Sequence, residues 1–279
     1  MLLTMLATPP EDLRTAVAMC TAGVAVFLIG VLASKNEIAK ARGLEKIVAL
    51  TSVCVALPLA VFGALHLFGA RFVMDLVPVY MPWRAFWVFA VGCCLMAASL
   101  SIATGIGVRW SGLLFGIMMF LFVAMIHFPG ALRRPQDRII WTIVLRELSF
   151  GGAGWILAGN AMARGRGRGA HVLITVGRVW ITIALIGFGI EHFLHPLGLP
   201  GVPLQKEMPA WIPARELMDY VTGALLLVAG GSVLLRRNTR TAATVLGGWL
   251  LLLVLIIYTP FLIMSLSDPA IGVKLQGIN

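Results

Sequence analysis

"GFGIEHFLHP", residues 187–196, closes the sixth long apolar run of the chain and carries Glu191, His192 and His195 within five positions. A segment suited to lipid keeps ionisable groups only where they can face something other than lipid. An earlier stretch, "FGALHLFGA" (residues 62–70), sets Phe62, Gly63 and His66 in the order and spacing of Phe188, Gly189 and His192, 126 positions upstream. Leu65 stands there where the later copy has Glu191. The chain repeats itself, and the acid is an addition to one copy rather than a requirement of the scaffold.

Hydrophobic residues make up 59% of the 279 positions, charged residues 12%, and mean hydropathy is +0.95, which places the chain among integral membrane proteins. Its net charge of +10 sits in short connections between apolar runs and not on a basic stripe interleaved with aromatics. That pattern is a topology signal and argues against nucleic acid as a partner. The opening "MLLTMLATPPEDLRT" lacks a basic n-region, so the first apolar run is expected to be a retained span and not a cleaved leader. Cys20, Cys54, Cys93 and Cys94 lie in apolar runs without CxxC spacing and read as small buried hydrophobes.

A span needs about 20 apolar residues to cross ~30 Å of hydrocarbon. Eight segments qualify, approximately 15–33, 46–68, 85–107, 110–128, 139–160, 171–194, 216–235 and 241–264. Backbone polar groups must be satisfied within lipid, so the runs are expected to be helices. The first, third, fifth and seventh connections hold 11 basic residues against Glu37 and Glu45, whereas the other side holds nine basic and eight acidic ones. The excess predicts that the odd connections are cytoplasmic and that both termini are extracytoplasmic.

The repeat continues past the histidine. Met81-Pro82 matches Met208-Pro209, Gly92 matches Gly223, Arg109 matches Arg240, and Phe128-Pro129, read as a helix end, matches Thr259-Pro260. An even number of spans per copy predicts two parallel four-helix units, residues 1–135 and 136–279, in an all-α membrane protein.

The stretch "GFGIEHFLHPLGLPGVPLQKEMPAWIPARELMDYVTGALLLVAGGSVLL" (187–235) resembles the DoxX family of bacterial and archaeal four-helix membrane proteins. The likeness lies in its acid-His pair at a helix end, its MPAWIP loop and its glycine-containing next helix. It covers most of 171–264 and, more weakly, 46–130, so the chain looks like two fused DoxX-like units. The resemblance implies a bacterial or archaeal cytoplasmic membrane and a quinone as cofactor. It also implies a redox partner protein, since the family takes its name from a membrane subunit of a thiosulfate:quinone oxidoreductase.

The candidate site residues are Arg146, Glu147, Arg178, Glu191, His192, His195 and Trp211, with first-copy counterparts His66, His127 and Trp83. All four charged residues within spans fall in the second copy, while Thr21 and Ser52 occupy the positions equivalent to Glu147 and Arg178. Helix rise puts Arg146 about 10 Å and Glu191 about 5 Å from the same face, which predicts an Arg146–Glu191 pair. A Glu147–Arg178 pair is reachable only with both side chains extended. A carboxylate beside a histidine suits proton relay to a quinone head group, while the same residues also suit ion pairs that lock helices together. Glu191 and His192 are adjacent on a helix and cannot both point straight at one ion without help from His195, which argues against a metal. Trp83 and Trp211 read as interfacial anchors or as covers of a ligand pocket. The rival functions are a small-solute transporter or channel, and a structural or assembly subunit of a membrane complex.

Overall fold

The computed structural model describes residues 11–43, 45–165, 169–198, 208 and 211–260. Among them there is no β-strand, and eight helices are long and apolar enough to cross a membrane. These are α1 (Glu11–Ala33), α2 (Thr51–Phe68), α3 (Arg84–Thr104), α4 (Val108–Arg133), α5 (Arg138–Arg164), α6 (Ala170–Leu194), α7 (Arg215–Leu235) and α8 (Thr239–Tyr258). Short helices at Lys35–Lys40, Glu45–Ala49 and Ala70–Met74 fill connections. The second apolar run, expected from residue 46, breaks at Leu50, and its span begins at Thr51.

The chain forms two compact units, one of residues 1–122 with 153–177 and one of 123–152 with 178–279. Helices α4, α5 and α6 each contribute to both. In the first unit α2 packs on α1 and α3. It buries Val53, Ala56, Ala60 and Ala64, a spacing of three and four that lines one helix face. In the second unit Ala184 and Phe188 of α6 meet Leu226 and Ala229 of α7 and Leu246 of α8. Small residues at these crossings let backbones approach, which is how helices gain packing energy where lipid supplies no hydrophobic drive between them.

Local backbone features recur at a constant offset of 131 positions. Helix α3 spans 84–104 and α7 spans 215–235, each preceded by a left-handed residue, Trp83 or Ala214, and followed by another, Gly105 or Arg236. Gly107 and Asn238 are left-handed as well. Arg84 donates to the Met74 carbonyl and Arg215 to the Met208 carbonyl at 3.1 Å, so in each copy a guanidinium ties the start of its helix to the connection before it.

Both α4 and α8 widen into a π turn, at Val123–His127 and Val254–Tyr258. Pro129 and Pro260 follow after one intervening residue; each lacks an N–H and crowds the carbonyl four residues back, which lies within the π turn, and the wider turn relieves that crowding. The helix end expected at Phe128-Pro129 is therefore a correction: α4 passes through the π turn and stays helical to Arg133.

The four cysteines also depart from expectation, since Cys20, Cys54, Cys93 and Cys94 all lie on the protein surface. An apolar side chain is as comfortable against lipid as against protein, so its hydrophobicity does not tell which way it faces.

Candidate functional site

The Phe-Gly-x-x-His element does the same work in both copies. His66 Nδ1 donates to the Phe62 carbonyl at 2.7 Å, and His192 Nδ1 donates to the Phe188 carbonyl at 2.6 Å. The glycine between them brings the next helix close. A Cβ on Gly63 would lie 3.2 Å from the Gly92 carbonyl, and one on Gly189 would lie 3.1 Å from the Gly223 carbonyl. Each histidine is thus set at a tight crossing, of α2 with α3 and of α6 with α7.

The copies differ in what lies beside the ring. His192 Nε2 stands 3.7 Å from Oδ1 of Asp219, and both side chains are essentially closed off, at 0% and 1% exposure. The equivalent of Asp219, 131 positions earlier, is Val88, a buried core residue of α3. Neither oxygen of Asp219 makes a hydrogen bond. The nearby backbone N–H of Gly198 is committed to the His195 carbonyl at 3.0 Å, and Arg215, one turn before Asp219, donates to Met208. Thr222, one turn after it, is also occupied: it donates to the Met218 carbonyl and accepts from Trp249 Nε1, each at 2.8 Å.

Glu191 finds a base other than the expected one. Oε2 accepts from Nε and Nη2 of Arg138, at 3.0 and 2.8 Å, and lies 3.9 Å from His195 Nε2. Arg138 is the first residue of α5 and Glu191 lies three residues from the end of α6, so the two meet at one level. Arg146 is two turns further along, about 12 Å deeper by helix rise, and it remains half-buried beside its neighbour Glu147.

Glu147 likewise pairs with a different residue. Its Oε1 lies 3.0 Å from Nε2 of His127, at the end of the α4 π turn, while Oε2 is buried without a hydrogen-bond partner. Arg178 donates to the Val233 carbonyl at 2.9 Å, a peptide oxygen in the last turn of α7. His127, counted with the first copy, therefore works with the second unit's acid. His66 and Trp83 stay in the first unit, with Trp83 80% exposed, and Trp211 of the second unit is 49% exposed. Residues 199–207 and 209–210 of the Pro-rich connection lie outside the described residues, as do Arg166 and Arg168 of the basic connection.

Two residues of the candidate site escape a reading of the sequence alone. Asp219 and Arg138 fall near span ends and count there as connection charges, yet one is buried and the other clamps Glu191. The available signal for Asp219 is its alignment with apolar Val88, the same kind of asymmetry that singles out Glu191 opposite Leu65. Comparison with family models, curated proteins and solved structures finds no match.

Proposed function

We propose that the chain is a multi-pass membrane protein of the DoxX type, built of two four-helix copies. Its second-copy interior binds the head group of a lipid-soluble small molecule, of the quinone class, for a membrane oxidoreductase. Eight apolar helices are compatible with integral membrane placement. The observation that carries the reading is that three carboxylates of one unit each face an imidazole: Glu147 with His127 at 3.0 Å, Asp219 with His192 at 3.7 Å and Glu191 with His195 at 3.9 Å. A quinone carbonyl accepts from an imidazole N–H and a hydroquinone hydroxyl donates to a carboxylate, so such pairs match both redox forms of the head group. The idle Oε2 of Glu147 offers an acceptor for that hydroxyl.

Organic extraction of the purified protein, followed by chromatography of the extract, tests this. A benzoquinone or naphthoquinone retained near one per chain is expected, reduced several-fold in Glu147→Gln with only a small change in thermal unfolding in detergent. An extract with no quinone, from protein that also fails to bind added quinone, would overturn the reading.

The Arg138–Glu191 bridge favours a second role, that of a structural clamp. Its two hydrogen bonds join the start of α5 to the end of α6, and a subunit serving only assembly would need such clamps and no ligand. In that case Glu191→Gln lowers stability and leaves quinone retention as it was.

A further inference from the structure

Helices α4 and α5 meet backbone to backbone at Gly112 and Gly154. A Cβ on Gly112 would lie 2.5 Å from the Gly154 carbonyl, and one on Gly154 would lie 2.9 Å from the Gly112 carbonyl. Trp155 Nε1 donates to the Leu113 carbonyl at 3.2 Å across the same crossing. Helices that cross in contact at one point diverge on either side of it. Toward the start of α4 the gap is a cleft of 110 Å³, lined by Arg109, Trp110 and Leu113 on one side and by Ala161, Met162 and Gly165 at the end of α5 on the other. All six belong to the first unit, whereas the three carboxylate and imidazole pairs belong to the second.

The cleft joins a cation to an apolar track. Arg109 Cζ lies over the Trp110 ring, 5.4 Å from its centroid. Stacking of that kind occupies a face of the guanidinium and leaves its in-plane N–H groups to an oxyanion. None of the described residues lining the cleft is acidic, and Arg164, exposed next to Gly165, adds a second positive charge at this end. The volume is small against the roughly 300–1,000 Å³ of a pocket that encloses a drug-sized ligand, so the cleft suits a head group whose remainder lies outside it. Outside it, Trp110, Leu114, Ile117 and Leu121 are all exposed, and their spacing of four, three and four sets them in one stripe along α4. Arg109 is the second residue of this membrane-length helix, the level at which lipid head groups lie. A free phosphate ion would use the cation and leave the stripe idle, while a phospholipid uses both.

We propose that the cleft between α4 and α5 seats the phosphate of an anionic glycerophospholipid on Arg109, with one acyl chain along Trp110, Leu114, Ile117 and Leu121. The second copy keeps the arginine as Arg240 but has Thr241 and Thr244 at the positions of Trp110 and Leu113, 131 residues on, so the aromatic and apolar liners are peculiar to the first copy. The inference rests on placement of the helices in a bilayer and on no part of the quinone reading.

Native mass spectrometry of the full chain, stripped of lipid in detergent and then given phosphatidylglycerol or phosphatidylcholine with identical acyl chains, tests it. Phosphatidylglycerol is expected to be retained in preference. The preference should fall several-fold in Arg109→Gln and in Ala161→Phe, which fills the cleft without changing any charge. It should persist in Arg42→Gln, a basic residue of the first connection that does not line the cleft. Thermal unfolding checks that each variant is folded, and should Ala161→Phe fail to fold, Arg109→Gln against Arg42→Gln decides. Equal retention of the two lipids overturns the proposal, as does an unchanged preference in Arg109→Gln or in folded Ala161→Phe. Equal falls in Arg109→Gln and Arg42→Gln also overturn it, because they would mark a general attraction between basic connections and anionic lipid. So does displacement of phosphatidylglycerol by an equal concentration of inorganic phosphate, which would mark a site for the free ion. Quinone extraction is a separate measurement on residues of the other unit, so the two readings fail independently.

Discussion

At the scale of single residues, stability turns on which charge is left alone when a partner is removed. His127 and Glu147 are mostly buried, with side chains 16% and 12% exposed. His127→Leu strands a carboxylate, and a loss of roughly 3 kcal/mol is expected, whereas Glu147→Gln keeps a hydrogen-bonding group and is expected to cost under about 1 kcal/mol. Thermal unfolding in detergent measures both, and equal losses would contradict the pairing. The Arg138–Glu191 bridge is more open, at 25% and 28%. A double-mutant cycle with Arg138→Ala and Glu191→Ala is expected to give a coupling of about 1–2 kcal/mol, between the values for exposed and buried pairs. The same cycle with Arg146→Ala should return no coupling to Glu191.

At the scale of helices, the glycine crossings and the π turns govern where the polar residues sit. A Cβ on Gly223 would already lie 3.0 Å from the Cβ of His192 and 3.1 Å from the Gly189 carbonyl, a backbone atom that cannot swing away. Gly223→Val is therefore expected to push α7 off α6 and destabilise by about 1–3 kcal/mol, as overpacking does elsewhere. Gly231 meets nothing within 4 Å, so Gly231→Val is the control and should leave the unfolding temperature nearly unchanged. The π turn at Val123–His127 holds one residue more than an α turn would. Deleting Met125 should rotate one side of the turn against the other by about 100° and separate His127 from Glu147. The deletion and His127→Leu should then be non-additive in unfolding temperature, because both abolish one interaction.

At the scale of the whole molecule, eight helices are long and apolar enough to cross a membrane, and eight crossings would place successive connections on alternate sides. Val79 lies between α2 and α3 and is 91% exposed; Ile106 lies between α3 and α4 and is 74% exposed. In a background without native cysteines, Val79→Cys should react with an impermeant maleimide added outside intact cells, and Ile106→Cys should react only after the membrane is opened. The reverse result would invert the topology inferred from the basic connections. The native cysteines must be replaced first, because all four lie on the surface.

The sequence by itself determined the number of helices long and apolar enough to span, their approximate ends and the positions at which the Phe-Gly-x-x-His spacing recurs. Hydropathy and the spacing of Phe, Gly and His are properties of one dimension, and lipid enforces the helix once the run is long and apolar enough. It also showed that the four charged residues within apolar runs, Arg146, Glu147, Arg178 and Glu191, all lie in the second half of the chain. Only the tertiary structure decided which acid meets which base. Pairing depends on the angle at which a side chain leaves its helix and on where α5 begins, and height along the membrane axis does not supply either. Height alone favours Arg146 for Glu191, while the start of α5 delivers Arg138. The same limit hid Asp219: the sequence shows a charge near a span end, and burial of that charge against His192 requires the crossing of α6 with α7 that Gly189 and Gly223 permit.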